Sequence, residues 1–222
     1  MSPPVQPGSV ICIFAKPPYP GTVKTRLIPE LGPEGAATLA EACLQDTVAM
    51  VRQCAWGQCV IAATEPFQRH YFSPDELWLQ GEGNLGARLE RVLRKGLQHF
   101  EMAFALGADS PGLQPGFLAQ ARDKLSKTDV VLSPSRDGGF YLIGMKKCPP
   151  GMLEGIQWSH SQTLLETVMK LREQGLKIGT GPGWFDIDTS ADIKRMLSHV
   201  DRDLTSAPRT LAFFRALASK QQ

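Results

Sequence analysis

Phe14-Ala15-Lys16-Pro17-Pro18-Tyr19-Pro20-Gly21-Thr22-Val23-Lys24-Thr25-Arg26-Leu27 is the stretch on which the reading of this chain turns. It follows Val10-Ile11-Cys12-Ile13-Phe14, an apolar run that reads as a buried strand. Three cations, Lys16, Lys24 and Arg26, lie within eleven residues, and three prolines and Gly21 lie between them. Proline fixes φ and removes a donor, while glycine reaches backbone shapes closed to other residues. A stiff cationic loop after a first strand has a polyphosphate as its natural guest. Lysine supplies a point charge for phosphate oxygens and arginine a planar fork. The same composition also suits a solvated loop, and the loop alone does not separate the two. It is not a P-loop, because Val23 stands where that motif needs glycine before Lys-Thr. Gly81-Glu82-Gly83-Asn84-Leu85-Gly86 approaches the dinucleotide fingerprint, but it comes late and lacks a strong preceding strand.

Working outward, Ala36, Ala40, Leu44, Val48 and Val51 recur at three and four and predict a helix from about Pro33 to Cys54. Gly57 marks a break, and Val60-Ile61-Ala62-Ala63 reads as a second buried strand. Leu77-Trp78-Leu79 suggests a short third strand. A glycine-rich loop and an amphipathic helix follow, with Leu85, Leu89, Val92 and Leu93 opposite Arg88, Arg91, Arg94 and Lys95, most of which read as a solvated face. Strands are expected at Met102–Gly107 and Asp129–Ser133. A helix is expected between them, from about Pro115 to Leu125. The glycines of Asp137-Gly138-Gly139 suit a tight reversal into an antiparallel Phe140–Gly144. Further helices are expected at Ser161–Gln174, after a Ser190 cap, and from Pro208 to Ser219. Alternating strands and helices imply an α/β fold, a mainly parallel sheet with helices on both faces. With no repeat and no linker, the 222 residues read as one nucleotide-binding domain, residues 1–8 forming a flexible tail.

The totals restrict the function. The chain is 42% hydrophobic and 21% charged, as in ordinary globular proteins, and its net charge of +2 gives no push toward nucleic acid or membrane. Five cysteines form no C-x-x-C pair, which argues against a disulfide framework or zinc site. No signal peptide or membrane-length apolar run is visible, so the expectation is a cytoplasmic protein. His70, His99, His160 and His199 show no metal-ligand spacing. Without a nucleophile elbow, a hydrolase triad is a poor fit.

Ligands of open α/β sheets bind outside the carboxyl ends of the strands. Asp109, at the end of a predicted central strand, reads as a Mg²⁺ ligand or as a turn former before Pro111. Asp186 and Asp188 lie two apart on an extended segment, so they face one way and Ile187 the other. Asp192 reads as a first-turn helix anion. Asp137 stays open between turn former and substrate contact. Trp158 and Tyr141 read as packing residues.

Five segments together resemble a bacterial family of glycosyltransferase-A-like, nucleotide-diphospho-sugar transferase-like proteins. They are residues 15–27, Gln80–Arg88, Gly107-Ala108-Asp109-Ser110-Pro111-Gly112-Leu113, Asp137-Gly138-Gly139-Phe140-Tyr141-Leu142-Ile143-Gly144 and Asp186-Ile187-Asp188-Thr189-Ser190-Ala191-Asp192-Ile193. More distantly the chain is similar to molybdenum-cofactor and phospholactate guanylyltransferases. The resemblance implies a three-layer α/β/α sandwich of the GT-A type on a Rossmann-like mixed sheet. It implies a nucleotide-binding loop with Lys16, Gly21, Lys24 and Arg26, and Gly86 and Arg88 near the nucleotide. Asp109 and Asp188 would hold Mg²⁺ (or Mn²⁺), with Asp186 in reserve. Asp137, Gly138 and Gly139 would face a small-molecule acceptor, and Lys24, Arg26 and Asp109 would be catalytic. The activity implied is metal-dependent nucleotidyl transfer from a nucleoside triphosphate to a phosphorylated acceptor. Glycosyl transfer from a nucleotide sugar, or non-catalytic nucleotide binding, are the alternatives. The distant relatives carry glycines in their first loop where this chain has prolines.

Overall fold

The computed structural model describes residues 8–197 and 207–219. Apart from Gly8, the expected tail lies outside these residues, and so does His199. Among the described residues seven strands form one sheet: β1 (Ser9–Ala15), β2 (Gly57–Ala63), β3 (Leu77–Leu79), β4 (Met102–Gly107), β5 (Val130–Pro134), β6 (Phe140–Met145) and β7 (Ile178–Thr180). Their order is β3-β2-β1-β4-β6-β5-β7. β6 runs antiparallel to both its neighbours and every other pairing is parallel, so the sheet is mixed, with one reversed strand. β7 is an addition to the sequence reading, since Ile178-Gly179-Thr180 carries no apolar run. Gly57 opens β2 rather than breaking the chain before it.

Among the described residues six α-helices form: α1 (Ile28–Val51), α2 (Leu85–Leu97), α3 (Pro115–Ser126), α4 (Thr163–Glu173), α5 (Ser190–Leu197) and α6 (Pro208–Ser219). α1 begins earlier than expected because a turn at Ile28–Leu31 precedes a kink at Gly32 (φ 69°), after which Pro33 starts the long segment. Strand alternation divides the core. Ile11, Ile13, Ile61, Phe104 and Leu106 pack under α1 and α3, while Val10, Cys12, Val60, Ala103 and Ala105 pack under α2. All five cysteines are free and buried.

The outer side of α1 is also covered. Leu39 and Cys43 pack with Leu27, Ile187, Ile193, Met196 and Phe214 in a third cluster. Buried Asp46 of α1 accepts the backbone N–H groups of Arg209 and Thr210, at 3.2 and 2.8 Å, and so caps α6 from a neighbouring helix. At α5 the box forms between Thr189 and Asp192, whose carboxylate accepts both the N–H (2.9 Å) and the hydroxyl (2.7 Å) of Thr189. Asp192 is thus a first-turn anion as expected. The expected Ser190 cap moves one residue back, because the Ser190 hydroxyl donates to Glu30.

From β1 the chain moves outward to β2 and β3 and then returns past β1 to β4. The β1 and β4 exits therefore diverge, which opens a crevice at their carboxyl ends.

Candidate active site at the β1–β4 crevice

The prolines of the first loop fold it. The Tyr19 N–H donates to the Pro17 carbonyl at 2.8 Å, and the Thr22 N–H and hydroxyl both donate to the Tyr19 carbonyl, at 3.2 and 2.9 Å. Pro20 and Gly21 occupy the centre of that turn, with Gly21 at φ 79°, the type II pattern of proline then glycine. Two residues later Lys24 adopts φ 45° and ψ 43°, a left-handed conformation that costs a lysine about 1 kcal/mol. It leads directly into the helical turn Thr25–Leu27. A left-handed residue followed by helical ones gathers successive N–H groups into an anion-binding concavity.

What holds Lys24 there is its side chain, which is only 3% exposed. Its ammonium lies 2.6 Å from Asp109 Oδ1 and 3.8 Å from Asp188 Oδ1, and donates to the Ile187 carbonyl at 2.7 Å. Burial opposes its charge, but the carboxylates of Asp109 and Asp188 outweigh that and push its pKa above the usual lysine range. Segment 184–188 straps the rim. Its Ile187 side chain is fully buried, and its Ile187 N–H donates to the Asp109 carbonyl at 3.0 Å. Asp186 and Asp188 flank that anchor and both line the crevice, as their spacing predicts.

A cavity of about 300 Å³ opens over Lys24, lined by Lys16, Thr22, Thr25, Gln80, Arg88 and Asp109 among others. A second lobe of about 140 Å³ shares Phe14, Leu85, Asp109 and Asp188 with it and extends to Tyr141 and Asp186. The Gln80 amide donates to the Ala62 carbonyl (2.7 Å) and the Ala15 carbonyl (3.3 Å), tying the ends of β2 and β1. The Arg88 Nε is buried with no partner among the described residues, beside the cavity its residue lines. The three loop cations therefore separate. Lys16 and Lys24 line the cavity, Lys24 facing carboxylates, and Arg26 is exposed outside the lining.

Two groups of expected site residues sit elsewhere. Gly86 does not line the cavity, because it packs where a Cβ would lie 3.0 Å from both the Leu153 carbonyl and the Trp158 ring. The turn 135–139 is built for folding: Asp137 Oδ1 accepts the Ser135 hydroxyl and, at 2.9 Å, the Gly139 N–H. Gly138 (φ 89°) packs where a Cβ would fall 2.0 Å from the Ser161 carbonyl oxygen, and its own carbonyl accepts the Leu164 N–H at 2.9 Å. None of the three lines either lobe, and Asp137 faces the site only through its charge. Gly138→Ala is expected to lower stability by about 3 kcal/mol through overlap and strain. A shift of the urea midpoint with unchanged m checks this. Trp158 packs as read, meeting Phe140 edge-on, while Tyr141 is buried with its hydroxyl donating to the Pro182 carbonyl at 2.8 Å and also lines the second lobe.

Asp186 is the titrating member of the strap. Burial raises its pKa to about 7; the Ser110 hydrogen bond opposes this, and the charges of Asp109, Asp188 and Asp137 add to it. An unfolded Asp ionises near 3.8, so between there and about 7 the folded state binds the extra proton. The contribution of Asp186 to stability therefore falls as pH rises through that window and is flat above it. Asp186→Asn should gain stability over the parent at pH 8, on the order of 2 kcal/mol, with the gap closing toward pH 4. Urea unfolding in chelator at both pH values measures it.

The donor set fits a hard divalent cation. Asp109 and Asp188 offer only carboxylate oxygens, 48% and 45% exposed. Burial, and then the Asp109 charge, raise the Asp188 pKa, while Lys24 and Arg26 lower it. Among the described residues no group of three His, Cys, Asp or Glu could cage a metal alone. Mg²⁺ does not need one, since it takes one or two carboxylates and completes its shell with water and substrate phosphates.

The chain matches the family model described as "Uncharacterized protein conserved in bacteria (DUF2064)" over residues 39–160. It is 24% identical over 181 residues to the 2-phospho-L-lactate guanylyltransferase of Methanothermobacter thermautotrophicus (strain Delta H), covering 79% of each chain. A solved structure from Desulfovibrio desulfuricans G20, provisionally named a nucleotide-diphospho-sugar transferase, superposes with a TM-score of 0.86 at 26% identity over 96% of each chain. The 2-C-methyl-D-erythritol 4-phosphate cytidylyltransferase of Thermus thermophilus shares the fold, with a TM-score of 0.51, 14% identity and coverage of 82% of this chain and 94% of that one.

Proposed function

The chain belongs to the DUF2064 family, and from that premise we propose that it is a transferase moving a nucleotidyl group from a nucleoside triphosphate to a phosphorylated small-molecule acceptor. The observation that carries the reading is the buried ammonium of Lys24 against Asp109 and Asp188, beneath a cavity at the β1–β4 divergence. The guanylyltransferase relative supports nucleotidyl over other transfers. The triphosphate lies across the first loop, where Lys16, Arg88 and the N–H groups after Lys24 neutralise its oxygens, with Arg26 at the outer edge. Lys24 holds Asp109 and the strap in register and compensates their charge. Asp109 and Asp188, with Asp186 in reserve, would hold a divalent cation, which when bound would supply positive charge to the phosphate oxygens and to departing pyrophosphate. The acceptor phosphate oxygen bonds to the α-phosphorus as the bond to the β-phosphate oxygen breaks, so no protein nucleophile is required. The free, buried cysteines suit a reducing compartment, and we place the reaction in the cytoplasm. No helix among the described residues is long and apolar enough to cross a membrane.

The superposition with the Desulfovibrio structure favours a second reading, glycosyl transfer from a nucleotide sugar through the same cavity. Product analysis separates them. Incubation with α-labelled triphosphates and sugar-labelled nucleotide sugars should transfer the α-label and release pyrophosphate. Turnover of the sugar donors alone would replace the first reading by the second, and turnover of neither donor would leave a nucleotide-binding protein without catalysis.

A further inference from the structure

The carboxyl-end rim carries another concavity beyond the nucleotide cavity. It encloses about 450 Å³ at the exit of β5 and is lined by Pro134, Ser135, Arg136, Gly183, Trp184 and Phe185. Trp184 and Phe185 stack at 5.1 Å and 26°, and both keep part of their surface open. The Trp184 ring is held in place by an edge contact with Phe117 (5.4 Å) and by its indole N–H donating to the Pro111 carbonyl at 3.0 Å. Arg136 is exposed and makes no hydrogen bond or ion pair among the described residues, and the Oδ1 of its neighbour Asp137 is engaged by Ser135 and Gly139. A rigid aromatic wall beside an unpaired guanidinium suits a small anion with an apolar body.

The position of the groove points to its use. The strap that supplies Trp184 and Phe185 pairs with Ser135 at one end, at the exit of β5, and with Asp109 at the other, at the exit of β4. β6 lies between those strands, so the two ends stand two strand spacings apart, about 10 Å. Asp186 and Asp188 lie on the intervening strap.

We propose that the Arg136–Trp184–Phe185 groove is the acceptor subsite, and that the acceptor is a doubly acidic small molecule. Its far acid group pairs with Arg136 and its apolar middle lies on Trp184 and Phe185. Its reactive phosphate reaches the strap carboxylates and the donor. The word acceptor rests on the transferase reading above; the binding site does not.

The test uses the full chain with phenyl phosphate and benzoate as probes, followed by tryptophan fluorescence and calorimetry. Phenyl phosphate should quench fluorescence saturably. Arg136→Gln, at an exposed position, should weaken binding at least tenfold, and Arg136→Lys should restore most of it. Trp184→Phe should remove the quench while the heat of binding remains. Competition by benzoate ranks the two anions, the tighter one naming the acid group that Arg136 takes. Equal affinity in the parent and Arg136→Gln, or no saturable binding, overturns the subsite. Thermal shifts with ATP, GTP, CTP and UTP, each with Mg²⁺, run alongside. A shift with any of them and no Arg136-dependent probe binding sinks the groove alone, whereas Arg136-dependent binding without a shift from any of the four sinks the donor reading and leaves the groove standing.

Discussion

Asp109→Asn should lower turnover of the nucleoside triphosphate by about a thousandfold, the scale of removing a principal electrostatic element from an active site. Two losses combine. The change removes one of the two carboxylates proposed to hold the cation, and it takes away the 2.6 Å partner of the buried Lys24 ammonium. Asp75→Asn is the control, because Asp75 is exposed in the turn before β3, on the far side of β2 from β4, and its replacement should leave the rate unchanged. Initial rates at saturating donor with both variants make the comparison, and equal rates would remove Asp109 from the site.

Lys24→Met should destabilise the protein and change its response to metal. Breaking a buried ion pair costs roughly 3–5 kcal/mol where both partners are enclosed. Here the lysine is buried but its carboxylates are nearly half exposed, so the expected loss is about 2 kcal/mol. The second effect is diagnostic. Lys24 is the cation that Asp109 and Asp188 already hold, and without it they lose their compensating charge. Mg²⁺ alone, at millimolar concentration and without nucleotide, should therefore raise the melting temperature of Lys24→Met by several degrees and leave the parent almost unmoved. A parent that responds to Mg²⁺ as strongly as the variant would show that lysine and metal do not compete for these oxygens.

Much of the fold is legible in local patterns, and particular residues show where that stops. The strands under both helical layers are continuous apolar runs such as Val10–Phe14 and Met102–Gly107, and period alone finds them. Ile178–Thr180 escapes because an edge strand of three residues needs only a neighbour's backbone, which β5 provides. The second buried face of α1 is equally hidden. Apart from nearby Leu27, the partners of Leu39, Cys43 and Asp46 come from the strap, α5 and α6, far later in the chain, so no local window contains most of them. In the site, the alternation of Asp186, Ile187 and Asp188 was readable because an extended strap exposes it directly. The destination of Lys24 was not: a cation in a phosphate-like loop reads as a phosphate ligand, and only the strap's return to Asp109 turns it inward. The three loop prolines, which set this sequence apart from glycine-rich first loops, are accounted for by the two successive turns that deliver Lys24 in a left-handed conformation. Asp137 is a residue whose turn and substrate readings the sequence leaves equally open, and its hydrogen bonds go to the turn.

The most direct test of the account is a calorimetric titration of the nucleoside triphosphate that gives the largest thermal shift into the full chain, once with Mg²⁺ and once with chelator, repeated for Asp109→Asn. The account predicts saturable binding to the parent that depends on Mg²⁺ and weakens at least tenfold in Asp109→Asn. Binding of equal strength with and without the metal, or undiminished in Asp109→Asn, would contradict it.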